Sequence, residues 1–344
     1  MSVVDWIIVG AYVGASIGIG IYFSRRAGRS LQDYFLSNRS LPWWIIGSSM
    51  VATTFASDTP LAITEYVRQE GIWRNWFWWT LAISHVLAAV AFARLWRRAG
   101  VLTDNELIEL RYSGPKAAFL RGFKAAYFST VYNFVVLAWV TAAMSTVLSQ
   151  FLDIDMRLAV VICMAVALLY SLLGGFWGVV FTDLIQFVVA MVGSIVFAVL
   201  AADHAGGMQN IVQQATELAG PQATAFIPGA DAPAEFWYTF LTFVGLLWWS
   251  NHNADGGGYI IQRMMSAKDE RHALVGTLWF ALAHYVLRIW PWVVVALASM
   301  VIFPAVGGQI QSDKEAYPAL MAMILPAGLR GLFVAVFLAA FMST

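Results

Sequence analysis

Two apolar stretches of the chain are interrupted at mid-span by residues that carry oxygen. The first reads Ser48-Ser49-Met50-Val51-Ala52-Thr53-Thr54-Phe55-Ala56-Ser57-Asp58-Thr59-Pro60. The second, about 200 residues on, reads Trp248-Trp249-Ser250-Asn251-His252-Asn253-Ala254-Asp255-Gly256-Gly257-Gly258. Hydroxyls, amides, a carboxylate and helix-breaking residues suit the holding of a cation or a polar solute inside an apolar protein. An Asp at the bilayer centre costs roughly 2.5–3.5 kcal/mol on insertion scales, so Asp58 is a functional candidate by position. It also fits as the N-cap of the second half of its span, with Pro60 in the first turn. Unwound backbone at membrane depth survives only where protein or a water-filled cavity surrounds it. Two broken spans in corresponding halves of a chain predict inverted repeats with a binding site near the midplane.

The elements that position these breaks are membrane spans. Apolar residues make up 60% of the 344 and charged residues 12%, against about 25% charged in a soluble domain. Nine spans are expected, roughly 4–23, 42–67, 75–94, 123–150, 157–174, 179–202, 236–258, 273–303 and 318–344. Loops 24–41, 94–124, 174–180 and 259–272 hold 14 of the 20 Lys and Arg residues, while the segment 203–235 holds none. The positive-inside rule then puts the N-terminus outside and loop 24–41 in the cytoplasm of a multi-pass plasma-membrane protein. Asp5 before the first apolar run and Arg25, Arg26 and Arg29 after it are the reverse of a cleaved signal, so the first span is retained.

Other residues narrow the function. Cys163, the one cysteine, lies in an apolar run and excludes a disulfide framework. A net charge of zero gives no field for nucleic acid. Thr103-Asp104-Asn105-Glu106 reads as a capping box for a short interfacial helix, and a small external helix is expected near 207–219. His85 and His252 have no ligand partner at metal spacing, so no transition metal is expected. No nucleophile–base pair or phosphate loop suggests an enzyme or an organic cofactor, and no protein partner is implied. His284 and Arg288 stand one turn apart before Trp290-Pro291-Trp292, where Pro291 should kink the helix. Arg288 needs a partner such as Asp58, Asp255 or a carbonyl, or serves a substrate carboxylate, or snorkels. Trp248, Trp249, Asn251, Asn253, Asp255 and Tyr259 offer aromatic faces, amides and acids to a small polar solute.

Four further stretches resemble the sodium:solute symporter family. They are Asp33-Tyr34-Phe35-Leu36 with Arg39-Ser40-Leu41-Pro42-Trp43-Trp44; Gly174-Gly175-Phe176-Trp177-Gly178-Val179-Val180-Phe181-Thr182-Asp183 with Gln186; Tyr259-Ile260-Ile261-Gln262-Arg263 with Ala267-Lys268; and Ala339-Ala340-Phe341-Met342-Ser343-Thr344. They stand in the family's order across nearly the whole chain. The resemblance implies an all-α membrane protein of the leucine-transporter type, with two inverted five-helix repeats. Residues 1–41 would be an accessory span and loop, 42–203 the first repeat, and 236–344 the first three helices of the second. The chain stops inside an apolar span, so a longer protein is expected.

The resemblance also implies Na⁺ as coupling ion, between the first break and the last span. Its ligands would be the carbonyls of Ala52, Phe55 and Ala340 and the hydroxyls of Ser343 and Thr344. Ala-x-x-Ser-Thr places a backbone oxygen and two hydroxyls on one helix face, although such hydroxyls also bond back to their own helix. Asp183 is a candidate for guiding Na⁺ inward, or for facing the helix dipole. Gly256-Gly257-Gly258 departs from the family, where polar side chains precede the Tyr-Ile-Ile-Gln-Arg run. The expected function is sodium-coupled symport of a small polar solute, a sugar, amino acid or carboxylate, by alternating access, the rival being a membrane sensor domain on the same fold.

Overall fold

The computed structural model describes residues 1–152, 156–250 and 252–343, with the backbone alone for Met156, Tyr170, His252, Asn253 and Ser343. Helix α1 (Val3–Ala27) opens on a capping box in which Ser2 and Asp5 exchange hydrogen bonds. The second span is split where polar residues interrupt it. Helix α2 (Trp43–Thr53) and helix α3 (Thr59–Glu70) flank a non-helical Thr54–Asp58. Then come α4 (Ile72–Ala99), α5 (Pro115–Ser149) and α6 (Met156–His204). The external helix is α7 (Met208–Ala219). Helix α8 runs over Ala234–Thr242 and on through a π turn at Phe243–Leu247 to Ser250. After the second break come α9 (Gly257–Met265), α10 (Glu270–Ile302), α11 (Ala316–Ile324) and α12 (Leu329–Ser343). Among the described residues there is no sheet.

Among the described residues, five stretches are long and apolar enough to cross a membrane: α1, α4, α5, the Ser171–His204 part of α6, and α10. Arg157–Leu169 and Leu329–Met342 are shorter apolar helices. Where a loop was expected over 174–180, the chain turns at Gly175 alone, at φ 52° and ψ −159°. That left-handed φ suits glycine, and a Cβ there would lie 2.9 Å from the Ala27 Cβ.

Two other expectations are revised. The Thr103–Glu106 capping box does not form, because the Glu106 carboxylate accepts from the Leu102 N–H at 2.9 Å and Asn105 makes no side-chain cap. The fourth span starts at Pro115 rather than near 123. Pro115 occupies the first turn after Gly114, as proline does at helix starts. Two of the charges that marked this stretch as loop are paired: Lys124 with Asp104 at 3.0 Å, and Arg121 with Glu109.

Packing brings the breaks to the centre. Helix α2 lies against α10 so closely that a Cβ on Gly47 would sit 2.5 Å from the Gly276 carbonyl oxygen. Ahead of Pro291 the helix widens into a π turn at Ala283–Leu287, and the Arg288 N–H reaches back to the Ala283 carbonyl at 3.0 Å. Helix α1 packs along α6 and α12. Buried Asp5 accepts from the Gly328 and Gly331 N–H groups at 2.7 and 2.8 Å, which satisfies the first turn of α12.

Candidate functional site

The last turn of α2 is gripped by two buried arginines. Ser49 and Thr53, four residues apart, share one face. Arg263 of α9 donates from Nε to the Ser49 Oγ at 2.7 Å and from Nη2 to the Thr53 Oγ1. The same Nη2 lies 2.9 Å from the Asp183 Oδ2 of α6. Asp183 also accepts from the Ser49 hydroxyl at 2.5 Å and the Thr53 hydroxyl at 3.2 Å. The Asp183 and Arg263 side chains are 0% and 3% exposed, so each charge depends on the other. Sequence reasoning singled out Asp183 and missed Arg263, which it counted with a cytoplasmic loop. The signal was present, since two lone opposite charges on apolar helices must find each other.

Arg288 holds the other side. It donates to the Val51 carbonyl at 3.0 Å and the Thr54 carbonyl at 3.1 Å, closing the C-terminal end of α2 where those oxygens lack helical partners. Of the partners considered, carbonyls are the ones found. Among the described residues no carboxylate lies within salt-bridge distance of it, and its Nε has no partner. The His284 Nε2 accepts from Arg288 at 3.5 Å, and its Nδ1 lies 2.8 Å from the Thr54 hydroxyl oxygen. Thr54 already donates to the Met50 and Val51 carbonyls, so the ring donates to it. Beyond it, His85 Nδ1 and the Tyr285 hydroxyl meet at 2.5 Å.

A small cavity opens beside this turn, with room for about one water molecule. Ala52 and Phe55 of the first break line it together with Ala340 of α12. Gln186 and Ser194 of α6 and Arg288 of α10 complete the polar part of the wall. Three of the five residues expected to bind sodium therefore line one cavity. Thr344 lies outside the described residues, as does the Ser343 side chain.

The remaining candidates are more dispersed. Asp58 is half-buried at the start of α3 and makes no side-chain cap; its Oδ1 is buried without a partner. In the second break Asp255 accepts from the Gly257 N–H at 3.2 Å and so begins α9. Trp249 is 60% exposed and is not part of the cavity wall. Tyr259 sits on α9, its carbonyl accepting from Arg263 at 3.0 Å. Asn251 and the Asn253 side chain lie outside the described residues.

The ends of these elements are tied as well. The Leu41 N–H donates to the Ser266 carbonyl at 3.2 Å and the Lys268 N–H to the Leu41 carbonyl at 2.9 Å, a parallel bridge between the start of α2 and the end of α9. Arg97 at the end of α4 donates to the Ala267 carbonyl at 2.6 Å, and Arg98 pairs with Glu270 at 2.8 Å. At the opposite end Arg68 of α3 reaches Asp313 at 2.8 Å and the Ser299 and Phe303 carbonyls at 2.8 and 2.9 Å.

A helical bundle with a broken second span has known counterparts. Residues 34–344 match the sodium:solute symporter family, and the chain belongs to that family. It is therefore a multi-pass membrane protein, as its apolar helices require. It is similar to the Bos taurus sodium/mannose cotransporter, with 27% identity over 377 residues covering 100% of this chain and 61% of that one. It is also similar to the Vibrio parahaemolyticus sodium/glucose cotransporter, with 27% identity over 365 residues covering 100% and 66%. The chain thus spans less than two thirds of the length of these curated relatives. A solved structure of a Na⁺-coupled sialic acid symporter, substrate-bound and outward-open, matches with TM-score 0.78 and 20% identity, over 99% of this chain and 70% of that one. The likeness shows the fold expected from the sequence, an all-helical architecture of the leucine-transporter type.

Proposed function

We propose that the protein is a sodium-coupled symporter that carries a small polar solute across the plasma membrane by alternating access. The observation that carries this reading is the cavity shared by Ala52 and Phe55 at the first break and Ala340 on α12. Na⁺ is a hard cation that takes oxygen ligands. On this reading the three carbonyls are joined by the hydroxyls of Ser343 and Thr344. A sodium ion there braces α2 against α12, and its departure toward Asp183 releases them. Residues 42–203 and 236–344 act as the two inverted repeats, with the N-terminus outside and loop 24–41 in the cytoplasm.

The solute binds between the two breaks, where Asp58, Asn251, Asn253, Asp255 and Tyr259 supply polar groups and Trp249 an aromatic face. We propose a sugar or sugar acid. The relatives are named for glucose, mannose and sialic acid, and Arg288 brings a buried positive charge that forms no salt bridge among the described residues. Inward Na⁺ movement releases roughly 2.3 kcal/mol per charge at 100 mV, enough for about 50-fold accumulation at 1:1 coupling.

The test is uptake by the full-length protein in vesicles with and without an inward sodium gradient, over a panel of sugars, sugar acids, amino acids and carboxylates. Uptake of one class that needs the gradient and fails in Ser343→Ala/Thr344→Ala is the expected result. Equal uptake without sodium, from folded protein, contradicts the proposal.

A further inference from the structure

Gln186 is a buried amide whose two ends face different tasks. It lies on α6, is 5% exposed, and lines the cavity beside Ala52, Phe55 and Ala340. Its Nε2 donates to the Tyr12 hydroxyl of α1 at 2.8 Å. In this orientation the amide leaves Oε1 buried with no partner among the described residues. An amide oxygen taken out of water and left unpaired is costly, so a native protein keeps one only where something else satisfies it. Three residues earlier, on the same face of α6, the Asp183 Oδ1 is also buried and unpartnered.

From this geometry we infer that Gln186 is an oxygen ligand of the coupling ion, directly or through one water, and that Tyr12 of the first span is its positioning residue. The inference rests on the sodium site proposed above. An amide oxygen is the kind of neutral donor that a hard monovalent cation accepts. Arg288 lines the same cavity, and its charge opposes a cation there. Arg288 is held to the Val51 and Thr54 carbonyls, so its donors point at the helix end. Asp183, three residues before Gln186 on α6, carries a second unpartnered oxygen. On this account the first span, expected from the sequence to be accessory, orients a ligand of the transported ion.

The experiment is a ²²Na⁺ binding titration on purified full-length protein, paired with the sodium dependence of uptake. Gln186→Leu, which keeps the volume and removes the oxygen, is expected to raise half-saturating sodium about tenfold or more. Gln186→Glu keeps an oxygen and is expected to hold sodium affinity within about threefold. Tyr12→Phe frees the amide to rotate and is expected to weaken sodium affinity several-fold, an effect that vanishes in the Gln186→Leu background. A folded Gln186→Leu protein that titrates like the wild type overturns the inference. A Tyr12→Phe effect that persists unchanged without Gln186 overturns the positioning role. Should Gln186→Leu not fold, Gln186→Met takes its place, and unchanged sodium affinity in it is equally decisive. Failure of the wild type to bind sodium at all defeats the symport reading itself, which separates the two results.

Discussion

Asp183 and Arg263 stabilise each other only as a pair, because both are withdrawn from water and share the Ser49 and Thr53 hydroxyls. Arg263→Ala is expected to cost about 3–5 kcal/mol, mostly the penalty of a carboxylate left buried and unpaired. Adding Asp183→Asn to that variant should recover a good part of the loss, measured as unfolding temperature in detergent. Additive losses in the double variant would mean that the pair is not coupled. Arg288 does a different job, since its planar fork spans two carbonyls at the end of α2. A lysine cannot reach both. Arg288→Lys should therefore lower the unfolding temperature and weaken sodium binding together, and an unchanged protein would contradict the gripping role. The sequence showed Asp58 and Asp183 plainly, as acids in apolar runs. It hid Arg263 inside a motif beside a basic loop, and it could not choose among the partners open to Arg288, because that choice depends on which helix end lies opposite.

At the level of elements, both breaks were legible, since small and polar residues in an apolar run leave the helix no other reason to be there. The turn at Gly175 was placed to within a few residues, but its tightness was not visible, because one left-handed glycine replaces a loop. The start of α5 was misplaced because Arg121 and Lys124 look like loop residues until their acidic partners are known. Gly47→Ala should drive α2 off α10, costing about 1–3 kcal/mol through backbone crowding, with a matching fall in unfolding temperature. Asp269 makes a separate, pH-dependent contribution. It caps α10 by accepting from the His272 N–H at 2.8 Å, and that bond and the His272 ring hold its carboxyl below the usual range. A depressed carboxylate stabilises fully above its unfolded pKa of about 3.9 and loses that contribution as pH falls through the lower folded value. Asp269→Ala should cost about 1 kcal/mol at pH 7. The gap to wild type should close in strong acid, as read by unfolding at the two pH values.

Across the whole molecule, the bridge between Leu41 and Ala267 and the Arg97 and Arg98 contacts tie α2, α4, α9 and α10 together at one end. Arg68 ties α3 to the loop before α11 at the other. On the proposed topology the first of these ends is cytoplasmic. In a Cys163→Ser background, Gln209→Cys should react with an impermeant thiol reagent applied outside, and Ser30→Cys should not; the reverse pattern would invert the topology. The central claim is that movement of a cation through the cavity at Ala52, Phe55 and Ala340 is tied to movement of a solute. It is tested most directly by measuring ²²Na⁺ and labelled sugar or sugar-acid entry together in proteoliposomes of the full-length protein. The account predicts that each accelerates the other in a fixed ratio and that collapsing the sodium gradient stops net solute accumulation. Solute entry that proceeds with no accompanying ²²Na⁺ would contradict it.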